Sequence, residues 1–457
     1  MKIGLLGCGN VGGALVELLP ERRAAIAEST GIDLEIGAIA VRSTSKERPG
    51  LADAALLTTD ANAVVTDPDI DIIVELIGGI EPARTLIIDA LKAGKPVVTG
   101  NKELLANVGA ELYAEADANG VDLLFEAAVA GAIPIVRPLR ESLLGEDIRR
   151  VMGIVNGTTN FILTRMTEDG DDYGVALAEA QELGYAERDP TADVEGYDAG
   201  AKVALMASLA FGANVVAGDV YHEGISGISQ SDIDFARRLN YEIKLLGITE
   251  VFDAEPPTGI AEIDNAPRNT AQEIGVRVHP AMVPCTHPLA SVRDSFNAVY
   301  VEGDSAGELM FYGRGAGGHP TASAVLGDLV EAATNLSRGT HRKVPSGDRP
   351  KIRSIDDIES AFYIAIEVGD SPGVLASVAG VFGAHGVSIK SMEQHGIGPD
   401  TAESPSNKTD GGNRPPIASL AFVTHQALER NVWSTISELK NLDAVTGIRS
   451  VLRVIGE

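Results

Sequence analysis

Two cysteines, one tryptophan and no long apolar run in 457 residues close off several classes of protein before any motif is considered. Cys8 and Cys285 cannot form a disulfide framework, and two thiols alone do not make a zinc site. Cys8 stands in a variable position of a glycine turn, where a small side chain suffices. No stretch approaches the roughly 18 apolar residues of a membrane span. The chain enters a strand pattern at once rather than a signal peptide, so the expectation is a soluble, cytoplasmic protein. Positive charge is also short: 37 Lys and Arg face 65 Asp and Glu, a formal net charge of -28. Such a surface repels phosphate backbones and anionic membranes, and no concentrated basic patch offsets it, which argues against nucleic-acid and membrane partners. His279, His287 and His319 are scattered without metal-ligand spacing, acidic runs such as 168–172 read as solvated turns, and no serine or cysteine sits in a nucleophile elbow. Transition-metal and covalent hydrolase chemistry are therefore not expected.

Glycine is plentiful, with 50 in the chain, and its first cluster carries the strongest signal. Residues 2–6 form a short apolar strand pattern that turns through Gly7-Cys8-Gly9-Asn10-Val11-Gly12 into a helical pattern. Gly7 can take the tight turn, Gly9 lets the backbone approach a pyrophosphate, and Gly12 lets helix pack on strand, so phosphates meet free N–H groups at a helix N-terminus. Alone the motif is weak, but a second strand pattern at 34–41 follows one helix later, as a dinucleotide-binding βαβ unit requires. An acid at the end of that strand would hold the ribose 2′-hydroxyl of NAD. Here the strand runs into Arg42-Ser43-Thr44-Ser45-Lys46, and Asp33 and Glu35 lie too early in it to serve. A guanidinium at Arg42 matches a 2′-phosphate. The pattern leans to NADP and leaves NAD open, with an exposed basic loop as the plainer alternative.

Further buried-strand patterns at 70–76, 96–99 and 121–126 alternate with helical stretches at 83–93 and 103–119. Strands alternating with helices predict an α/β, Rossmann-like doubly wound parallel sheet, with ligands at the carboxyl ends of its strands. The pattern then changes. Strand-like 150–155, helices from 158, near 174–183 and at 199–211, and antiparallel-looking strands through 311 predict an α+β substrate and dimerisation domain. A glycine-rich turn at 313–320 leads into a helix near 321–336 that is expected to return to the nucleotide domain. Beyond a polar linker, the last hundred residues read strand, helix, strand, strand, helix, strand, the ferredoxin-like βαββαβ order, as a separate unit. The polar stretch 398–416 within it is expected to be disordered. The domains are therefore drawn as 1–132 with 313–337, then 133–312, a linker at 338–354, and 355–457.

Three more segments carry a resemblance. Thr99-Gly100-Asn101-Lys102, then Asn156-Gly157-Thr158-Thr159-Asn160, then Gly184-Tyr185-Ala186-Glu187-Arg188-Asp189-Pro190 with Asp193 through Lys202, are similar to homoserine dehydrogenase, in order and at family spacing, over residues 1 to about 335. Residues 185–202 are the most specific part. The C-terminal unit, with Asp370-Ser371-Pro372-Gly373-Val374-Leu375, resembles an ACT domain, the amino-acid-sensing module of many bacterial members.

The family interconverts L-homoserine and L-aspartate 4-semialdehyde with a nicotinamide cofactor, in the threonine, methionine and isoleucine branch. Asp198 and Lys202 are i and i+4, on one face if a helix runs through them; a surface ion pair is the plain alternative. The resemblance makes Lys202 the general acid/base, oriented by Asp198, with Lys102 beside cofactor and substrate and able to share the work. It makes Glu187, with Asp198, Gly157, Thr158 and Tyr185, the substrate site. Thr158, Thr159 and Asn160 would also cap the helix they start. Gly7, Gly9, Asn10, Val11, Gly12, Arg42, Thr99, Lys102, Gly184 and Gly317 form the cofactor set. Carbonyl oxygens at Glu126, Val129, Gly131 and Ile133, with a carboxylate, suit sodium or another monovalent cation, though an ordinary turn would look the same. Asp370, Gly373, Val374 and Leu375 are the effector set, with threonine as the expected effector and feedback inhibition as the consequence. A homodimer or homotetramer is implied. The rival readings are a related dehydrogenase acting on another amino acid, and a non-catalytic nucleotide and amino-acid sensor.

Overall fold

A computed structural model describes residues 1–46, 54–253, 272–344, 347–396 and 417–456. The first third builds one sheet: β1 (Lys2–Leu6), α1 (Asn10–Thr30), β2 (Glu35–Ala40), β3 (Leu57–Thr58), α2 (Ala61–Thr66), β4 (Ile72–Glu75), α3 (Ala83–Lys92), β5 (Val97–Thr99), α4 (Lys102–Asn119) and β6 (Leu123–Leu124). The order is β3-β2-β1-β4-β5-β6 and every pairing is parallel. The runs Ile72–Glu75 and Val97–Thr99 are buried throughout, as strands covered on both faces must be. The strand expected at 121–126 is shorter. After Leu124 the chain enters a tight turn at Glu126–Ala128, because the Glu126 carboxylate accepts the N–H groups of Ile135, Val136 and Arg137 at 2.6, 2.7 and 2.9 Å.

The second sheet follows with β7 (Ile148–Ile154), α5 (Gly157–Glu168), α6 (Tyr173–Glu182), α7 (Thr191–Val194), α8 (Tyr197–Phe211), β8 (Tyr221–His222), α9 (Gln230–Arg238), β9 (Tyr241–Asp253), β10 (Gln272–Pro284), β11 (Phe296–Gly303) and β12 (Gly307–Arg314). Strands β12-β11-β7-β9-β10 lie antiparallel in that order. Helix α8 packs so closely that a Cβ on Gly247 of β9 would sit 2.3 Å from Val203. Then α10 (Gly318–Arg338) returns to the first sheet, as its glycine-rich lead-in suggested. Its Ala322, Val325, Leu329, Ala332 and Ala333 share one core with Leu15 and Leu19 of α1 and Ile3 and Leu5 of β1.

The last segment contains β13 (Lys351–Ile352), β14 (Glu359–Gly369), α11 (Val374–Ala384), β15 (Ile389–Gly396), β16 (Ile417–Thr424), β17 (Ala427–Leu428), α12 (Glu429–Leu439) and β18 (Val445–Val454). Its main strands run β18-β14-β16-β15, the expected βαββαβ arrangement. The unit keeps a core of its own around Phe362, Ile364, Phe382, Phe422 and Ile436, and it also joins the sheet before it. β18 pairs with β10 through Ala281↔Arg453 and Met282↔Val454, and β13 also pairs β10, so the second sheet continues into it. No helical or strand periodicity encodes which edge a strand will choose as its partner. The expected disorder of 398–416 falls outside the described residues. Among the described residues no helix is long and apolar enough to cross a membrane.

Candidate active site

A cleft of about 1300 Å³ lies between the carboxyl ends of the first sheet and the helices on the second. That exceeds the roughly 300–1,000 Å³ of a single small-ligand pocket, and it suits a dinucleotide with a small acid beside it. On one wall the β1–α1 turn is shaped by contact. Gly7 has φ +98°, and a Cβ there would lie 2.6 Å from the Leu76 carbonyl. A Cβ on Gly12 would lie 2.3 Å from the Gly7 carbonyl. Gly9 faces open space, with no heavy atom within 4 Å of where its Cβ would be. The turn therefore keeps one glycine free for something outside the protein to approach.

Lys102 opens α4 at the end of β5. Asn101 caps that helix, accepting from Leu104 N at 3.1 Å, and its amide donates to the Gly79 carbonyl at 2.7 Å. Opposite stands α8. Asp198 accepts Lys102 Nζ at Oδ1, 2.6 Å, and Lys202 Nζ at Oδ2, 2.8 Å. Lys202 also donates to the Val155 carbonyl at 2.5 Å. The two ammonium groups are not equivalent: the Lys102 side chain is 40% exposed and that of Lys202 10%. Burial pushes Lys202 down, and neighbouring Lys102 adds to this, so it lies below the ordinary lysine range despite Asp198. Burial also acts against the charge on Lys102, but Asp198 outweighs it and holds Lys102 above that range. For Asp198, burial opposes ionisation, yet the two lysines hold it well below the usual carboxylate range.

Three features here were not assigned a part from the residues alone. Asn156, rather than the threonines, caps α5 by accepting from Thr159 N at 2.9 Å. Its amide donates to Asp193 at 2.7 Å and to Asp198 at 2.9 Å. Burial, together with Asp198, pushes the Asp193 carboxyl up against the opposing Asn156 hydrogen bond. An asparagine before Gly-Thr-Thr is legible as a cap, whereas its second task needs α8 in place. His222 also reaches the cleft, and nothing in the sequence pointed to it.

The structure gathers most of the expected catalytic, substrate and cofactor residues in this one cleft: Asn10, Lys102, Gly157, Thr158, Gly184, Tyr185, Glu187, Asp198, Lys202 and Gly317 are among its walls, with Gly131 of the cation set. Thr158 donates to the Tyr185 carbonyl at 2.7 Å. Asn160 turns away, its amide on the Asp294 carbonyl at 2.9 Å. The Thr99 hydroxyl donates to Glu75 at 2.6 Å, and the residue is fully buried and outside the cleft walls. Arg42 is exposed beyond the carboxyl end of β2. At the cation set, the Glu126 carboxylate accepts three backbone amides, those of Ile135, Val136 and Arg137. No group of three metal-ligating side chains occurs among the described residues. Asp370, Gly373, Val374 and Leu375 lie outside the cleft, at the start of α11, where Gly373 has φ +93°.

A turn left open for a pyrophosphate and, in the same cleft, two lysines sharing one carboxylate suit a nicotinamide-dependent oxidoreductase. Family models agree segment by segment: a homoserine dehydrogenase NAD-binding domain matches residues 7–126, a homoserine dehydrogenase domain 134–330, and an ACT domain 362–409. A homoserine dehydrogenase of Corynebacterium glutamicum is 47% identical, the match covering 99% of this chain and 95% of that protein. One of Bacillus subtilis is 39% identical over 100% and 98%. The crystal structure of a homoserine dehydrogenase from Thiobacillus denitrificans aligns with a TM-score of 0.87 at 38% identity, covering 99% and 98%. A hyperthermophilic archaeal homoserine dehydrogenase in complex with NADPH aligns with a TM-score of 0.58 at 27% identity, covering 72% and 97%. The chain belongs to the homoserine dehydrogenase family, with an ACT domain at its C-terminal end.

Proposed function

We propose that this enzyme reduces L-aspartate 4-semialdehyde to L-homoserine, reversibly, with Lys202 as the general acid and NADPH as the preferred cofactor. The observation that carries this is the Asp198 carboxylate, its side chain 12% exposed, shared between Lys202 and Lys102 in the cleft. A nicotinamide cofactor bound at the Gly7–Gly12 turn would supply the hydride for the aldehyde carbon. Lys202 Nζ gives its proton to the aldehyde oxygen, and in the oxidative direction takes it back from the hydroxyl. Asp198 keeps that ammonium aimed, and Lys102 adds a second positive charge as the oxygen gains negative character. Glu187 is exposed on the cleft wall, which supports a role in taking the substrate ammonium.

Support for NADPH comes from β2. Asp33 and Glu35 stand at its beginning and are tied to Arg23, at 2.5 and 3.2 Å. That leaves Arg42, not an acid, at its far end. The archaeal relative bound to NADPH is consistent with this. A monovalent cation, sodium in the first instance, fits the carbonyl oxygens of Glu126, Val129, Gly131 and Ile133. Among the described residues no donor is paired with the last three, and buried Ala130 takes φ +54° beside Gly131 at +60°. Threonine binding at the start of α11 would make the ACT domain a feedback sensor, and Asp370→Ala should remove the threonine response while sparing basal turnover. The chain is expected to act as a homodimer or homotetramer.

The test is oxidation of NADPH and of NADH with aspartate 4-semialdehyde, for the wild type and for folded Lys202→Ala. Turnover with NADPH above NADH, and a loss of about 100-fold or more in the variant, are the expected results. A folded Lys202→Ala that retains wild-type turnover would remove Lys202 from the mechanism.

A further inference from the structure

The seam between the second sheet and the ACT domain holds a buried ionic group that the reaction chemistry does not use. Arg453 on β18 is 2% exposed. Its guanidinium donates to Glu429 of α12 through Nε at 2.8 Å and Nη2 at 2.7 Å, and to Glu223 through Nη1 at 2.6 Å. It also lies over the rings of Tyr221 and Phe362, at 5.4 and 5.5 Å. Glu429 and Phe362 belong to the ACT side. Tyr221 and Glu223 belong to β8 and its continuation, on the catalytic side.

Successive residues of a strand point to opposite faces, and here each face of β8 meets a different neighbour. Tyr221 and Glu223 meet Arg453, while His222 between them lines the catalytic cleft. The His222 ring packs on Tyr197, the first residue of α8, with 4.9 Å between centroids. It approaches Gly200 so closely that a Cβ there would lie 2.1 Å from Nε2. The chain after β8 is stitched to the turn before α8: Ile225 N donates to the Val194 carbonyl at 2.9 Å, and Ser226 Oγ to Glu195 at 2.8 Å. Both contacts converge on the first turn of α8, which carries Asp198 and leads to Lys202.

We propose that Arg453 is a positioning residue of the active site: through Glu223 it sets the place of β8, and β8 sets the start of α8. The proposal rests on the roles given above to Asp198 and Lys202. It makes the ACT domain part of the scaffold of the catalytic site, and gives any effector that shifts β18 a physical handle on α8.

Arg453 itself is a poor first target, since removing it strands buried Glu429 and can prevent folding. Glu223→Gln keeps the shape, and the Glu223 side chain is 28% exposed, so the full-length variant should fold. It is assayed without effector, beside His222→Phe and the double variant, for kcat and both KM values. Amide exchange at 197–202 is followed in the same preparations. The expected result is a kcat lowered by about twofold to thirtyfold with the cofactor KM unchanged, faster exchange at 197–202, and no added effect of Glu223→Gln in the His222→Phe background. Wild-type turnover, wild-type exchange at 197–202, or effects that simply multiply would each overturn the proposal, whatever happens to thermal stability. Lys202→Ala run alongside separates the two readings. If it keeps its activity the catalytic roles fail, while exchange at 197–202 still reports whether the seam holds α8.

Discussion

Asp198 shares one carboxylate between two ammonium groups, and that sharing sets how the cleft responds to pH. With Lys202 as the proposed general acid, reduction needs its protonated form, so kcat should fall as pH rises through the Lys202 pKa, below the ordinary lysine range. Homoserine oxidation needs the neutral amine and should rise through the same inflection. Asp198 raises the Lys202 pKa and Lys102 lowers it, so Asp198→Asn should move the inflection to lower pH and Lys102→Met to higher. pH–rate profiles in both directions check the sign. Glu126 makes a different kind of prediction. Glu126→Gln turns at least one N–H group toward another donor and should cost about 1–3 kcal/mol, read from denaturant melts. Any response of activity to sodium should survive, because the proposed ligands there are carbonyl oxygens.

Among the elements, the β1–α1 turn separates fold from function at two of its glycines, Gly9 and Gly12. A methyl on Gly9 meets nothing in the protein, whereas one on Gly12 meets the Gly7 carbonyl. Gly9→Ala should therefore leave the melting temperature unchanged and weaken cofactor binding by roughly tenfold or more, about 1.4 kcal/mol. Gly12→Ala should weaken binding and also lower stability by about 1–3 kcal/mol, the usual effect of overpacking. Calorimetric melts with and without cofactor distinguish the two. The elements most readily read from sequence were those whose period and ends agree. The βαββαβ order is one case, and α8, a long apolar helix, is another. The strand at 121–126 misled because its apolar residues continue past Leu124, while Glu126 draws the backbone into a turn through partners ten residues further on. The short β3, β8 and β17 carry too few residues for periodicity to register.

Across the whole molecule, the second sheet runs unbroken from the substrate side into the ACT domain. A chain ended near residue 350 would leave β10 without β13 and β18, and would uncover Glu223 and the buried, neutral His279. Such a truncation should lose any response to an amino-acid effector, and should also melt at a lower temperature than the full chain. Equal melting temperatures would mean that the seam adds nothing to stability. Sequence alone determined the nucleotide fold, the βαββαβ unit and the pairing of Lys202 with Asp198, because glycine spacing, periodicity and an i, i+4 pair are local and survive in one dimension; the part proposed for that pair in catalysis came from the family resemblance. Only the tertiary structure decided that Lys102 joins that pair, that Asn156 and His222 belong to the cleft, and that Arg453 reaches across to β8. Each of those depends on which surfaces of distant elements meet, and strand edges and helix faces choose their partners by packing that no single segment encodes.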